Sequence, residues 1–322
     1  MFENRADIQP FLAETELGLF AAEIAGLCKP SLCFEPSAAQ VGGTRFGGEP
    51  DVPPDFSWPA REAYVHGAAL AARLAGRGER FASRFTMPAP LDFVCQIDLT
   101  DHAVKRALGS WLPSEGRLLF FWDAGCGPWI EDTRSARVIW DPSPAAGLKR
   151  QARPPALLEY LGRDEREGCK RATAAAALPA WSLPDRFLVQ EIAESDGLRE
   201  AAVADESDDF WGDVMDRGLT TLTSGRKVLA HRLGGWPIPE QGDPRFTAAA
   251  SANGFLRLFD RSPTEAEAEA CGREVPAWTM LLQVDMASLG TDFAEGTVYF
   301  VMRADDLERR DFSRVHAVYQ QT

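Results

Sequence analysis

Hydrophobic and polar positions alternate over residues 91–99. Leu91, Phe93, Cys95, Ile97 and Leu99 fall on one face and Asp92, Gln96 and Asp98 on the other. The alternation returns over residues 278–286, with Trp278, Met280, Leu282, Val284 and Met286 opposite Thr279, Gln283 and Asp285. The pattern predicts one half-buried strand in each half of the chain, each carrying Gln and Asp side by side. A second strand follows each of them, Arg117 to Trp122 and Thr297 to Met302, introduced by the turn signals Glu115-Gly116 and Glu295-Gly296. From Phe11 to Leu27, helical spacing aligns Leu17, Phe20, Ile24 and Leu27, and Gly26 and Pro30 end the run; the expected helix packs on the first sheet. Ser262-Pro263-Thr264-Glu265 reads as an N-cap with Pro in the first turn, opening a short, exposed helix through Ala270.

The two strand pairs sit in a larger repeat. Arg45-Phe46-Gly47-Gly48-Glu49-Pro50 is answered by Arg232-Leu233-Gly234-Gly235-Trp236-Pro237 at an offset of 187 (232 − 45), and Gln96-Ile97-Asp98 by Gln283-Val284-Asp285 at the same offset (283 − 96). Gly116 and Phe120 are matched by Gly296 and Phe300 at an offset of 180 (296 − 116), so the second connecting loop is seven residues shorter (187 − 180). These spacings predict an α+β protein with an internal duplication: two β-rich, pseudo-symmetric lobes with peripheral helices. Residues 141–184, rich in Pro and Ala, are the least patterned stretch and separate the copies. The expected lobes are 1–150 and 151–322, packed as one body about a pseudo-two-fold axis.

Composition narrows the partners. Forty-eight acidic against 34 basic residues give a net charge of −14, which repels nucleic-acid backbones. No apolar run reaches a membrane span, and Met1-Phe2-Glu3-Asn4-Arg5 lacks the features of a secretory signal, so a cytoplasmic protein is expected. In that compartment the six scattered cysteines are free thiols.

Candidate chemistry gathers at the repeats. In Arg-x-Gly-Gly-x-Pro, bare backbone can approach a ligand while Arg45 or Arg232 grips a carboxylate or phosphate. The structural alternative is a tight turn of Gly47 and Gly48, or Gly234 and Gly235, at positive φ, with the arginines tied to Asp98 and Asp285. Gln96 and Gln283 are then expected to bond the backbone of the turn. Trp58 and Trp236, each beside a proline, either clamp the following loop or line a groove. The acidic run from Asp205 to Asp213 offers a surface for a basic protein partner, with Phe210 and Trp211 as apolar anchors. Cysteine and histidine spacing matches no metal site, no cofactor is expected, and Cys126 between two glycines reads as a loop thiol.

The motif Arg45-Phe46-Gly47-Gly48-Glu49-Pro50, followed by Pro53-Pro54-Asp55-Phe56-Ser57-Trp58-Pro59, Pro90 to Leu99 and Leu112-Pro113-Ser114-Glu115-Gly116, resembles the DUF1963 (YwqG-like) pattern. His231 to Pro237, Gln241-Gly242-Asp243, Asp305-Asp306-Leu307 and Asp311-Phe312-Ser313 are similar to that family's second half, so the resemblance covers roughly residues 12–320. It implies a bacterial, soluble, mixed α/β protein and carries over no catalytic residue. The resulting functional expectation is a non-enzymatic binding or protein-interaction module, including an immunity-type inhibitor of a basic partner. The alternative is a small-ligand receptor or enzyme whose site lies in a groove between the lobes and draws Arg45, Arg232, Asp98 and Asp285 together.

Overall fold

A computed structural model describes residues 1–109, 111–130, 132–162, 171–212, 220–255, 263–290 and 296–321. Ten strands form one antiparallel sheet: β1 (Lys29–Pro36), β2 (Arg45–Phe46), β3 (Asp92–Asp98), β4 (Arg117–Trp122), β5 (Ala136–Asp141), β6 (Thr173–Ser182), β7 (Leu229–Leu233), β8 (Trp278–Asp285), β9 (Thr297–Arg303) and β10 (His316–Gln320). Their spatial order is β10-β9-β8-β7-β1-β6-β2-β3-β4-β5. With helices along the chain and this large antiparallel sheet, the fold is α+β.

The spine of the sheet is the antiparallel pair β1 and β6, in register from Lys29 opposite Ser182 to Pro36 opposite Ala175. From this spine the chain crosses over. β6, after residue 150, pairs with β2 through Ala174 and Arg45, while β1, from the N-terminal part, pairs with β7 through Cys33 and Arg232. The helix His102–Leu108 packs across β1 and β6, where the run Ala174-Ala175-Ala176-Ala177 keeps the strand surface low.

The two arms of the sheet share one core. Ile97, Leu118, Phe120 and Trp122 from one arm and Leu282, Val298, Phe300 and Met302 from the other lie in the same apolar cluster, all at 2% exposure or less. Trp122 stacks on Tyr319 across the join, with centroids 5.8 Å apart. Burying both faces of a strand removes the alternation expected of a half-buried one. In β3 a bulge between Phe93 and Cys95 completes the change: Phe93 joins Leu119 and Phe121 on one side, and Cys95 and Ile97 join the shared core on the other. β8 has its bulge at the matching place, between Met280 and Leu282.

The N-terminal helix expected over Phe11 to Leu27 is broken into Ile8–Ala13 and Ala21–Leu27. Thr15 interrupts it, its hydroxyl donating to the Leu12 carbonyl at 2.7 Å and accepting the Leu17 amide at 3.3 Å. These pieces pack against Leu183, just after β6, and against Val189, Leu198, Phe210 and Trp211 from the helices that follow, not on the first sheet as the spacing suggested. Farther on, Thr264 is the N-cap of Glu265–Glu274, in a capping box with Glu267. Cys271 seats that helix against Trp278 and Met280, so it is packed rather than a free insertion. Ser262, Asp213 and Glu295, and Cys169 among the six cysteines, lie outside the described residues.

Candidate functional site

The two Arg-x-Gly-Gly segments have matching geometry. Gly47 and Gly48 adopt φ of 68° and 75°, and Gly234 and Gly235 adopt 66° and 79°. Only glycine enters that region without strain, so the motif is a turn signal. Each turn is tied to the facing strand: Gly47 donates its amide to the Val94 carbonyl at 2.7 Å and Gly234 to Leu281 at 2.9 Å. The glutamine side chains hold the chain leaving the turn. Gln96 Oε1 accepts the Asp51 amide at 2.8 Å, and Gln283 Oε1 the Ile238 amide at 3.0 Å. One residue pair farther on, the Asp98 amide donates to Thr44 Oγ1 at 3.0 Å and the Asp285 amide to His231 Nδ1 at 3.3 Å.

The expected ties from Arg45 to Asp98 and from Arg232 to Asp285 are not made. Asp98 Oδ1 accepts the amide and hydroxyl of Thr100 at 2.8 and 2.7 Å, and Asp285 accepts the amides of Ala287 and Ser288 at 3.1 and 3.2 Å. Both carboxylates cap the turn that ends their strand. Arg45 donates to the Glu49 carbonyl at 3.2 Å, and burial draws its pKa down. Arg232 is buried beside Cys33 and Tyr299, and desolvation lowers its pKa to about 10. β1 and β6 stand between the two arginines, which are therefore not brought together.

The tryptophans act as clamps. Trp58 Nε1 donates to the Leu91 carbonyl at 2.7 Å, and its ring meets Phe121 edge to face. Trp236 Nε1 donates to the Leu27 carbonyl at 2.7 Å. Its ring carries two cations, Lys29 Nζ 3.4 Å from the centroid and the Arg245 guanidinium carbon 5.0 Å away. Burial first, then the charge of Arg245, lowers the Lys29 pKa to about 8.

Arg245 leads from that clamp to a cleft of about 1050 Å³. Its walls are the helix Arg186–Ile192, the loop from Pro239 to Asp243, the helix Pro244–Ala252 and the helix Glu265–Glu274. Carboxylates dominate its polar lining: Asp185, Glu191, Asp208, Glu240 and Asp243 against Arg186, with Phe187, Trp211 and Phe246 as aromatic surface. Local folding places the acids. Asp185 is the N-cap of Arg186–Ile192, accepting the amides of Phe187 and Leu188 at 2.9 and 3.2 Å. Asp243 is the N-cap of Pro244–Ala252 and also takes both ends of the Arg245 guanidinium. Gln320 pins the intervening loop, its Oε1 accepting the amides of Glu240 and Gln241 at 3.0 and 3.1 Å.

These acids are crowded. Burial, together with the charge of Asp243, raises the pKa of Asp185 despite its two amide donors. Glu191, exposed on the wall, is raised by partial desolvation and then by Asp243. Asp208 is paired with Arg186 and Asp243 with Arg245, whereas Glu191 has no ion-pair partner among the described residues. None of the arginines, glycines, glutamines and aspartates of the repeat, nor Trp58 or Trp236, lines this cleft; Trp236 supports it from behind through Arg245. Of the acids, Asp208 belongs to the run read as a surface for a basic partner, while Asp185, Glu191 and Glu240 carried no expectation. The signals that mark them are Pro184-Asp185 and Asp243-Pro244, both helix-start patterns.

Phe210 and Trp211, expected as exposed anchors, are interior, at 6% and 3% exposure. Their rings meet edge to face in the N-terminal helical cluster, which corrects the docking surface drawn from that run.

A second polar cluster is wholly buried. Asp123 accepts Arg61 Nε at 2.5 Å, Tyr64 OH at 2.7 Å, Tyr160 OH at 2.8 Å and the amides of Gly125 and Cys126, both at 3.1 Å. Cys126 is thus an interior thiol, its Sγ 3.3 Å from the Tyr160 oxygen, whose single proton goes to Asp123, and burial pushes its pKa up to about 12. With no opening to solvent, the cluster is a structural tie between β4 and the helix Pro155–Leu161.

A family model described as "Domain of unknown function (DUF1963)" matches residues 44–320. No curated protein matches the chain.

Proposed function

The chain belongs to the DUF1963 family, whose description assigns no activity, and we propose that it is a non-enzymatic binding module whose acidic cleft receives a cationic partner. The cleft carries this reading. It is concave, about 1050 Å³ in volume, and lined by five carboxylates against one arginine, Arg186, which is already paired with Asp208. A positively charged group entering it offsets the burial, and after it the charge of Asp243, that raise Asp185 and Glu191. The chain's net charge of −14 steers a cation toward the same surface. An inhibitor that neutralises a basic protein fits the same geometry, and free thiols at Cys28, Cys33, Cys95, Cys126 and Cys271 suit action in the cytoplasm. No helix among the described residues is long and apolar enough to cross a membrane.

We also infer that the two halves are copies of one β-rich unit, divided near residue 150. Matching turns, glutamine bonds and bulges at the same offset support this, as does a sheet order that reads alike outward from β1 and β6. The copies then diverged: Asp51 in the first stands where Ile238 stands in the second (238 − 51 = 187), and the acidic cleft adjoins only the second.

Titration of fluorescently labelled pentalysine and pentaglutamate tests the binding reading. Wild type is expected to bind the first and not the second, with salt-sensitive affinity that Glu191→Lys removes. Equal binding of pentalysine by wild type and Glu191→Lys sinks it.

A further inference from the structure

Lys29 is an amine with no counterion among the described residues. Its side chain is half-buried, and its Nζ, 3.4 Å from the ring centroid of Trp236, makes neither an ion pair nor a hydrogen bond there. The geometry is fixed from two sides. Trp236 Nε1 donates to the Leu27 carbonyl, two residues before Lys29, and Lys29 itself opens β1 opposite Ser182. The indole face attracts an ammonium, but Lys29 shares it with the guanidinium of Arg245, 5.0 Å from the same centroid. The acid whose charge reaches Lys29 is Asp243, and both its oxygens are already taken by that guanidinium. Partial burial beside a second cation, with no acceptor at hand, favours the unprotonated amine and is what turns a lysine into a nucleophile.

We propose that Lys29 is a site of covalent modification that takes a small acyl group from an acyl phosphate. The free amine adds to the carbonyl carbon, the carbon–oxygen bond to phosphate breaks, phosphate departs with the bonding electrons, and the nitrogen's proton passes to solvent. The product is an uncharged amide. It removes the one cation of the cluster that lacks a counterion, keeps the methylene stem beside the indole and leaves the ring to Arg245. An amide suits this place better than the imine an aldehyde would form, which can still take up a proton.

Acetyl phosphate is the probe. The native protein is held with it in mildly alkaline buffer, together with an acetylated and amidated Gly-Lys-Gly peptide, and acetylation of both is followed by mass spectrometry. Burial and then Arg245 lower the Lys29 pKa from 10.5 to about 8, which leaves about a hundredfold more free amine. Its weaker basicity offsets part of that gain, so Lys29 is expected to react about tenfold faster than the peptide. Its rate should level off above pH 8 while that of the peptide goes on rising. Arg245→Gln removes the neighbouring cation and frees Asp243 to pair with the amine; both changes favour the ammonium, so Lys29 should fall to the rate of the peptide. Should that variant not fold, the pH profile of wild type carries the test. Lys29 reacting no faster than the peptide, or a rate that climbs in step with it above pH 8, overturns the proposal, as does a folded Arg245→Gln variant in which Lys29 keeps its wild-type rate.

Discussion

The rings of Phe120 and Phe300 meet edge to face with centroids 5.1 Å apart, and both residues are fully buried. They stand at matching places in the two halves, so the contact joins the arms of the sheet where β4 and β9 face one another. Each Phe→Ala substitution should cost about 3–5 kcal/mol in urea-induced unfolding. A double-mutant cycle should show coupling of about 0.5–1.5 kcal/mol. Strict additivity would mean that the arms do not share this core.

The Gly-Gly turns give a prediction about space rather than charge. A Cβ on Gly235 would lie 2.4 Å from Ser182 Oγ and 2.7 Å from Ser31 Cβ, at a φ of 79°. Ser182 Oγ also accepts the Trp236 amide at 2.8 Å, so it cannot move without releasing the clamp. Gly254 has a similar φ of 70° and open space around it. Gly235→Ala should therefore destabilise by about 1–3 kcal/mol more than Gly254→Ala. Equal thermal midpoints for the two variants would show that the turn's tight packing contributes nothing.

Much of this geometry was legible because matching motifs recur at a fixed offset in the sequence. The strand pairs and the glycine turns could be read from period-two alternation and a fixed offset, since each motif has a counterpart in the other half, whereas the glutamines hold Asp51 and Ile238, beyond the glycines they were expected to bond. Features that occur once were not. The central strand β6 has the sequence Thr-Ala-Ala-Ala-Ala-Leu-Pro-Ala-Trp-Ser, in which alanine and proline hide a strand whose place is set by its neighbours β1 and β2. A bulge shifts the phase of β3 without altering its apolar residues, so Phe93 and Cys95 look alike in sequence and face opposite ways. The arginine and acid of the Asp123 cluster stand 62 residues apart in no recognisable motif. Until the chain folds, nothing joins them.

That cluster makes a sharp stability prediction. Asp123 is fully buried and accepts five donors, one of them the guanidinium of Arg61, itself 1% exposed. Asp123→Ala leaves Arg61 as an uncompensated interior cation and should cost about 3–5 kcal/mol or prevent folding. Replacing Arg61 and Asp123 together with Met and Leu should recover part of the loss. A double variant no more stable than Asp123→Ala would remove the stranded charge as the cause.

The thiols should be silent in the native protein. Burial pushes the pKa of Cys28 and Cys126 up to about 12 and that of Cys33 to about 11. Iodoacetamide in mildly alkaline buffer, mapped by mass spectrometry, should label Cys28, Cys33 and Cys126 only after denaturant is added. Native labelling of Cys126 on the timescale of a free thiol would show that the Asp123 cluster opens to solvent.

Acid should loosen the fold through two histidines. His231 is buried, stacked on Phe46 at 4.0 Å, and burial lowers its pKa from 6.5 to about 3; His316, buried beside Trp278, falls from 6.5 to about 4. His231 Nδ1 accepts the Asp285 amide, which requires an unprotonated nitrogen there and sets the proton on Nε2, facing Ser288 Oγ. Below pH 6.5 the unfolded chain takes up these protons and the folded chain does not, so their contribution is fully present above 6.5 and is lost as pH falls toward 4 and then 3. Each histidine should steepen the fall in unfolding free energy by up to about 1.4 kcal/mol per pH unit in that window. The raised pKa of Asp185 acts in the opposite sense, because its folded form holds the proton more tightly, and so offsets part of the loss at the acid end. Differences between variants remove that background. His316→Phe and His231→Thr, the second restoring the residue that stands at the matching position 44, should each flatten the slope by about one histidine's share, whatever they do to stability at neutral pH. An unchanged slope in His231→Thr would mean that His231 is already protonated in the folded chain, and the bond from the Asp285 amide could not then be made.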